Sequence, residues 1–238
     1  LKFILHLIGL LLMAQPVLAA PQAVSGLALN GTGVTTWGDR ANNKLPTPQR
    51  AYPRQDADFP KSFSFTKIDA FGKALNENAA SWSCVRDNTT GLVWEGKTHD
   101  NGLHDALHTY TWFNSDDDSN GGRDGMSGEP DDAICNSVVG GCDTEKFVHA
   151  VNAAGWCGFK DWRMPSIEEL GSIVDYGRSM PAIDPRFFPN MPQPAGFWTA
   201  TSFAPEPSFA WIVVFDEGGV THCVKSWAYH VRLVRGGK

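Results

Sequence analysis

The residues best equipped for chemistry sit in one acidic stretch, Asp116-Asp117-Asp118-Ser119-Asn120-Gly121-Gly122-Arg123-Asp124. Counted from Asp116, oxygen-bearing side chains fall at the first, third, fifth and ninth positions (Asp116, Asp118, Asn120, Asp124), with glycine at the sixth. That is the oxygen-rich half of an EF-hand-type loop: the spacing curls hard oxygen ligands around one point, which suits calcium, and the glycine permits the sharp turn. Ser127 stands at the twelfth position where such a loop has Glu, and Glu129 comes two residues late. No helical pattern flanks the stretch, so a solvated acidic loop is the competing reading.

A second group is His104-Asp105-Ala106-Leu107-His108, with His99 nearby, at the His-x-x-x-His spacing of zinc hydrolases. That chemistry needs both imidazoles on one helix face and a carboxylate placed as base. Gly102 before the group and Thr109-Tyr110-Thr111-Trp112 after it read instead as a loop running into a strand. No Gly-x-Ser-x-Gly nucleophile turn and no phosphate loop occurs. Sugar-binding proteins stack rings on exposed aromatics. Among Trp112, Phe113, Phe197, Trp198, Trp211 and Trp227, the first two lie at the edge of the long loop and are the candidates for exposure, with Arg123 as a charged partner. Trp211 falls in a run apolar on both faces and reads as core.

These residues must be positioned by a mixed set of elements. Phe63 to Ile68 alternates as a strand does, and Trp82 to Glu95 reads as a hairpin turned by Asn88-Thr89-Thr90-Gly91. Residues from His99 to Asp143 carry turn signals, and loops of such length are usually functional or disordered. Asp143 can cap a helix with Phe147, Val148, Val151 and Ala154 on one stripe, stopped by Gly155. Ser166 and Glu169 form a capping box for a second helix that buries Ile167, Leu170 and Val174 and ends near Gly177. Strands are expected at Phe197–Thr201, Phe209–Phe215, Val220–Lys225 and Tyr229–Arg235. The sum is an α+β domain over residues 62–238. Before it, residues 20–61 are rich in Gly, Thr, Asn and Pro and read as an extended arm, with one short strand at Gly31–Trp37.

Lys2, the apolar run from Phe3 to Ala14 and the small residues Ala19-Ala20 have the form of a secretory signal peptide over residues 1–19. The run stops at Gln15-Pro16, short of the roughly 20 residues of a spanning helix, so no membrane span is expected after cleavage. The expected location is periplasmic, secreted or on a bacterial cell surface. A formal net charge of −6 argues against nucleic acid as a partner. Five cysteines in an oxidising compartment imply disulfides with one thiol left over. Cys135 and Cys142 flank Gly140-Gly141 and can close a small loop, and Cys84 with Cys157 is the second pairing considered, which leaves Cys223 free. Spacing alone does not fix that connectivity.

Several segments together resemble the Lcl C-terminal domain family, named for the Legionella collagen-like adhesin. They are Val85-Arg86-Asp87-Asn88-Thr89-Thr90-Gly91-Leu92-Val93-Trp94, Gly155-Trp156-Cys157-Gly158-Phe159-Lys160-Asp161-Trp162-Arg163-Met164-Pro165, Phe197-Trp198-Thr199-Ala200-Thr201, Ala210-Trp211 and Val231-Arg232-Leu233-Val234-Arg235. The resemblance implies a C-type-lectin-like fold, two helices packed on mainly antiparallel strands with long loops. Trp94, Asp161, Trp162, Arg163, Pro165, Trp198, Trp211 and Arg232 become fold-defining positions, the two arginines bonding backbone carbonyls or Asp161. It also implies a non-catalytic binding module for a polysaccharide or cell-surface glycan, acting as an adhesin and open to oligomer formation.

Two smaller likenesses point elsewhere. Glu129-Pro130-Asp131 resembles the Glu-Pro-Asn triplet of C-type lectins, but no Trp-Asn-Asp follows. Arg163-Met164-Pro165-Ser166 with Glu168-Glu169 resembles a segment of formylglycine-generating enzymes, whose late reactive cysteine has only Cys223 as a counterpart here, without the surrounding Gly-Gly-Ser-Trp. The alternatives are therefore a metal-dependent or formylglycine-type extracellular enzyme, and a structural envelope component docking another envelope protein through the arm.

Overall fold

The computed structural model describes residues 30–58, 63–128, 134–136 and 138–236. The expected signal segment and the Glu129-Pro130-Asp131 triplet lie outside the described residues. The elements are β1 (Phe65–Ile68), β2 (Cys84–Asp87), β3 (Val93–Glu95), β4 (Tyr110–Thr111), α1 (Thr144–Ala154), α2 (Ile167–Gly171), β5 (Gly196–Ser202), β6 (Phe209–Val214), β7 (Gly219–Val224), β8 (Ala228–Tyr229) and β9 (Val234–Arg235). They form an α+β fold with antiparallel sheets β1-β2-β3-β9, β4-β8 and β5-β6-β7.

The β2–β3 hairpin forms where the turn residues demand it. Asp87 is fully buried and its carboxylate accepts the amides of Thr89 (2.8 Å) and Thr90 (3.3 Å). Gly91 then takes φ +77°, a conformation glycine adopts without steric cost. The last strand, β9, returns to pair with β3 through Val93↔Arg235 and Trp94↔Val234, so both ends of the domain share one sheet.

Helix α1 starts at Asp143, whose side chain accepts the Lys146 amide at 2.8 Å, and stops at Gly155 in the left-handed conformation. Phe147 and Val151 are buried, while Ala154 is exposed. Asp143 is itself fully buried and also accepts from the Gly128 amide (3.1 Å) and pairs with Lys146. Asp143→Ala removes a helix cap and leaves a buried amide unsatisfied, so a loss of about 2 kcal/mol is expected, checked by thermal denaturation.

Helix α2 carries the full Ser166/Glu169 capping box but ends at Gly171, six residues before the expected Gly177. The chain turns instead because Asp175 accepts the Gly177 amide (2.9 Å) and its own amide goes to the Ala182 carbonyl (2.9 Å). Ile173 and Val174 still reach the core from that turn.

Tryptophans act as apolar mass and as cross-links together. Trp112 Nε1 donates to the Thr199 carbonyl (2.8 Å), Trp198 Nε1 to the Tyr110 carbonyl (2.8 Å) and Trp162 Nε1 to the Trp156 carbonyl (3.0 Å). Buried rings thus contribute burial energy, roughly 2–3 kcal/mol each, without leaving their N–H groups unpaired. Trp94 is an exception: it is fully buried and its Nε1 has no partner among the described residues.

Two expectations are corrected here. The Gly31–Trp37 segment is not a strand; a single bridge, Trp37↔Leu45, is all the ladder it makes. The described part of the arm is tied to the domain: Asn30 Nδ2 donates to Asp87 (2.6 Å) and to the Ser172 carbonyl (3.1 Å), and the Thr32 carbonyl accepts from the Tyr176 amide (2.8 Å). The closing Tyr229–Arg235 segment is two short strands rather than one. Between them Val231, Arg232 and Leu233 are all buried, so alternation gives way to a fully enclosed passage.

Candidate functional site

The candidate site is a cleft of about 390 Å³ where the long loop, the first turn of α1 and the Arg163–Ser166 turn meet. Trp112, Phe113, Val148, Met164 and Ala200 supply its apolar lining, and Asn114, Thr144, Glu145, Arg163 and Ser166 its polar groups. Phe113 is fixed by its backbone, whose amide donates to Thr144 Oγ1 (2.9 Å) while its carbonyl accepts from the same hydroxyl (2.8 Å). Its half-buried ring is therefore presented from a rigid position. Trp112 is a correction: expected at the surface, it is 2 % exposed, with only part of its ring lining the cleft. Its Nε1 bond to Thr199 and its place among core residues explain the burial.

Arg163 lies at the cleft wall in a two-pronged pair with Glu169 (2.7 Å on each prong) and also donates to the Gly236 carbonyl (2.9 Å). Burial would raise the Glu169 pKa. The Arg163 guanidinium and the Ser166 amide outweigh that and hold the carboxyl below its usual range. Both arginines expected to bond backbone carbonyls do so, Arg163 to Met164 (3.3 Å) and Gly236, and Arg232 to Glu95. The Asp161 carboxylate attracts Arg163 and takes Arg235 at 2.7 and 3.0 Å, whose guanidinium lies 3.8 Å over the Phe159 ring. Pro165 is buried and its carbonyl accepts the Ala200 amide at 2.7 Å, joining the turn to β5. Trp211 is another correction. It is half-buried on the central strand β6, where its ring packs edge-on against the Phe203 ring (5.1 Å) and the His222 ring (5.7 Å) rather than in the core.

Arg123 is not in the cleft. It lies with Gly122, Asp124 and Met126 on a separate concavity of about 500 Å³ beside Ser208 and Lys225. In the acidic loop, Asp116 accepts from the Asp118 amide (3.2 Å) and Ser119 Oγ (2.7 Å). Asn120 is fully buried, donating to Asp117 (3.1 Å) and Asp124 (2.8 Å) while its own Oδ1 accepts the Gly122 amide (2.8 Å). Asp116, Asp117, Asp118 and Asp124 face solvent. The four residues of the calcium spacing share one loop, and side-chain oxygens of Asp116, Asn120 and Asp124 accept bonds from within that loop.

The histidines serve separate partners. His104 Nδ1 bonds Glu95 Oε1 (2.8 Å) and its ring stacks on Trp156 (3.7 Å between centroids). His108 Nε2 accepts the Asn136 amide (3.4 Å), burial lowers its pKa, and His99 is exposed. Asp105 caps its own turn through the amides of Asp100 (2.8 Å), Asn101 (2.7 Å) and Leu107 (2.9 Å). Among the described residues, no group of three or more His, Cys, Asp or Glu side chains is arranged to hold a metal.

Glu95 anchors a charge network that sequence reading missed. It is fully buried and bonds Lys97 Nζ (2.8 Å), His104 Nδ1 (2.8 Å) and the Leu233 amide (2.9 Å). Its carbonyl accepts from Arg232 (2.6 Å), which is also fully buried, and burial pulls Arg232 down to about 10.

Two disulfides brace the fold, Cys84–Cys157 and Cys135–Cys142, and Cys223 is free, its sulfur 3.1 Å from the Tyr229 hydroxyl. The class this defines is a disulfide-braced α+β domain with a cleft at the root of a long acidic loop. Residues 83–235 match the family model of the Lcl C-terminal domain, and the chain belongs to that family. No curated protein and no solved structure matches it.

Proposed function

We propose that the chain is an exported, non-catalytic binding module that takes a polysaccharide or cell-surface glycan in the Phe113 cleft. The observation that carries this reading is the cleft itself: apolar surface from Phe113, Val148 and Met164 beside polar groups from Asn114, Glu145 and Arg163. Pyranose rings present an apolar face and a hydroxyl edge, and such a lining suits both. Most ligand pockets share this balance of apolar wall and few polar groups. The C-type-lectin-like reading of the fold belongs to the same proposal. It is supported by the pairing of β9 with β3 beside the first strands, by the two helices and by the long loop region.

Support for a binding role over catalysis comes from how the reactive side chains are committed. His104 is held by Glu95, Asp105 by three backbone amides, and Cys223 faces a tyrosine hydroxyl. Export is supported by the two disulfides, which persist in oxidising compartments. Among the described residues no helix is long and apolar enough to cross a membrane.

The test is a screen of the full protein against immobilised neutral, uronate-containing and sulfated glycans, repeated with Phe113→Ala. The variant should lose at least about tenfold in affinity, or roughly 1.4 kcal/mol, at an unchanged melting temperature. Full binding by a folded Phe113→Ala protein would remove the cleft from the reading.

A further inference from the structure

Lys225, the residue just after β7, is 2 % exposed, an unusual place for an ammonium that normally keeps its head in water. Its Nζ donates to the carbonyls of Asn120 (2.9 Å) and Arg123 (2.6 Å) and stands 3.8 Å over the Trp112 ring. Two carbonyl oxygens and an aromatic face thus replace its hydration shell, a favourable setting for a desolvated cation. Its backbone is tied to the same region: the Lys225 carbonyl accepts the Trp112 amide (2.9 Å) and its amide donates to the Ser208 carbonyl (2.9 Å).

The loop closes around that head. The Asn114 amide donates to the Asp124 carbonyl (2.9 Å), and the Met126 amide to the Trp112 carbonyl (3.0 Å). Ser202 Oγ adds a second bond to the Asn120 carbonyl (2.7 Å). Within the acidic stretch, the carbonyls of Asn120 and Arg123 therefore close on a positive charge supplied by the chain. A calcium ion needs six to eight oxygens at roughly 2.3–2.6 Å. Here the Asn120 Oδ1, the Asp116 carboxylate and the inward carbonyls of Asn120 and Arg123 are already bonded to protein donors.

We propose that Lys225 is the resident cation of the 114–126 loop: its ammonium holds the inward-facing carbonyls of Asn120 and Arg123, and the loop is ordered without a divalent ion. Burial pulls the Lys225 pKa down to about 8, against attraction from Asp124, so the group stays protonated at neutral pH. Because Trp112 also lines the cleft, the same contact fixes one of its walls.

The test is amide hydrogen exchange on the full protein, wild type and Lys225→Met, each with millimolar calcium or with chelator. In Lys225→Met the Asn114 and Met126 amides should exchange at least about tenfold faster, with the β2–β3 hairpin unchanged. In wild type, calcium and chelator should leave those loop amides unaffected. Unchanged loop exchange in a folded Lys225→Met protein would overturn the proposal, as would calcium-dependent protection of the wild-type loop. Should Lys225→Met fail to fold, the wild-type calcium and chelator arms with Lys225→Arg decide. Arginine retains the charge and should exchange more slowly in the loop than Lys225→Gln; equal rates would count against the ammonium. No arm involves a glycan, so its failure is separate from failure of the cleft.

Discussion

Glu95→Gln should lower stability at neutral pH by about 3 kcal/mol, because it leaves Lys97 buried without its counter-charge. Lys97 is 6 % exposed and Arg232 is wholly enclosed nearby, so neither cation can reach water when the carboxylate is gone. The pH dependence follows from the same geometry. Burial alone would raise the Glu95 pKa, but Lys97 and His104 outweigh it and hold the carboxyl at about 2. A depressed carboxyl adds stability above its unfolded value of roughly 4.3, and that increment drains away as pH falls from there towards 2. Lys97 moves the opposite way to what an ion pair alone would give: burial pulls its pKa down despite Glu95. The burial cost of Lys97 offsets much of what its attraction to Glu95 contributes. The net worth of the pair is small, and the large effect comes from breaking one side. Urea denaturation of wild type and Glu95→Gln at pH 7 and pH 3 checks this. The difference between the two proteins should shrink at the lower pH; a neutral variant with less than 1 kcal/mol lost at pH 7 would contradict it.

Joint replacement of Cys84 and Cys157 by alanine should cost about 4 kcal/mol. The bridge closes a separation of 73 residues, and the loop-entropy relation gives that size for such a span. Cys135–Cys142 closes only seven and is expected to be worth about 2 kcal/mol. The long bridge also ties β2 to the turn after α1, so two parts of the domain separate when it is lost. Denaturant midpoints of the two double variants rank them. Equal losses would show that native-state packing, rather than chain entropy, dominates.

Much of the local structure was legible because it depends on short-range chemistry. Asp143 before an apolar stripe, Gly155 after it and the Ser166/Glu169 pair each specify a helix end through bonds within one turn. Asn88-Thr89-Thr90-Gly91 specifies the hairpin in the same way. The end of α2 was not legible, since it depends on Asp175 meeting Gly177 and on the Ala182 carbonyl from a later segment.

The candidate site was legible only in part, for the same reason. Phe113 was singled out and does line the cleft, but Val148 and Met164 read as ordinary apolar positions of a helix stripe and a turn. Trp112 sits next to Phe113 and faces the core, because adjacent residues of an extended chain leaving a strand point to opposite sides. Arg123 shares the loop and not the cleft. Lys225 and Glu95 gave no signal at all: a lone charge at a strand end reads as solvent-facing, and only the packing of Trp112 or Arg232 against it reveals burial.

The most direct test of the binding reading is an amide chemical-shift titration of the labelled protein with the best glycan from the screen. Saturable shifts gathered at Phe113, Asn114, Val148 and Met164 are the predicted result. Shifts confined to the Arg123 and Ser226 side, or no shift with any neutral, uronate-containing or sulfated glycan, would contradict it.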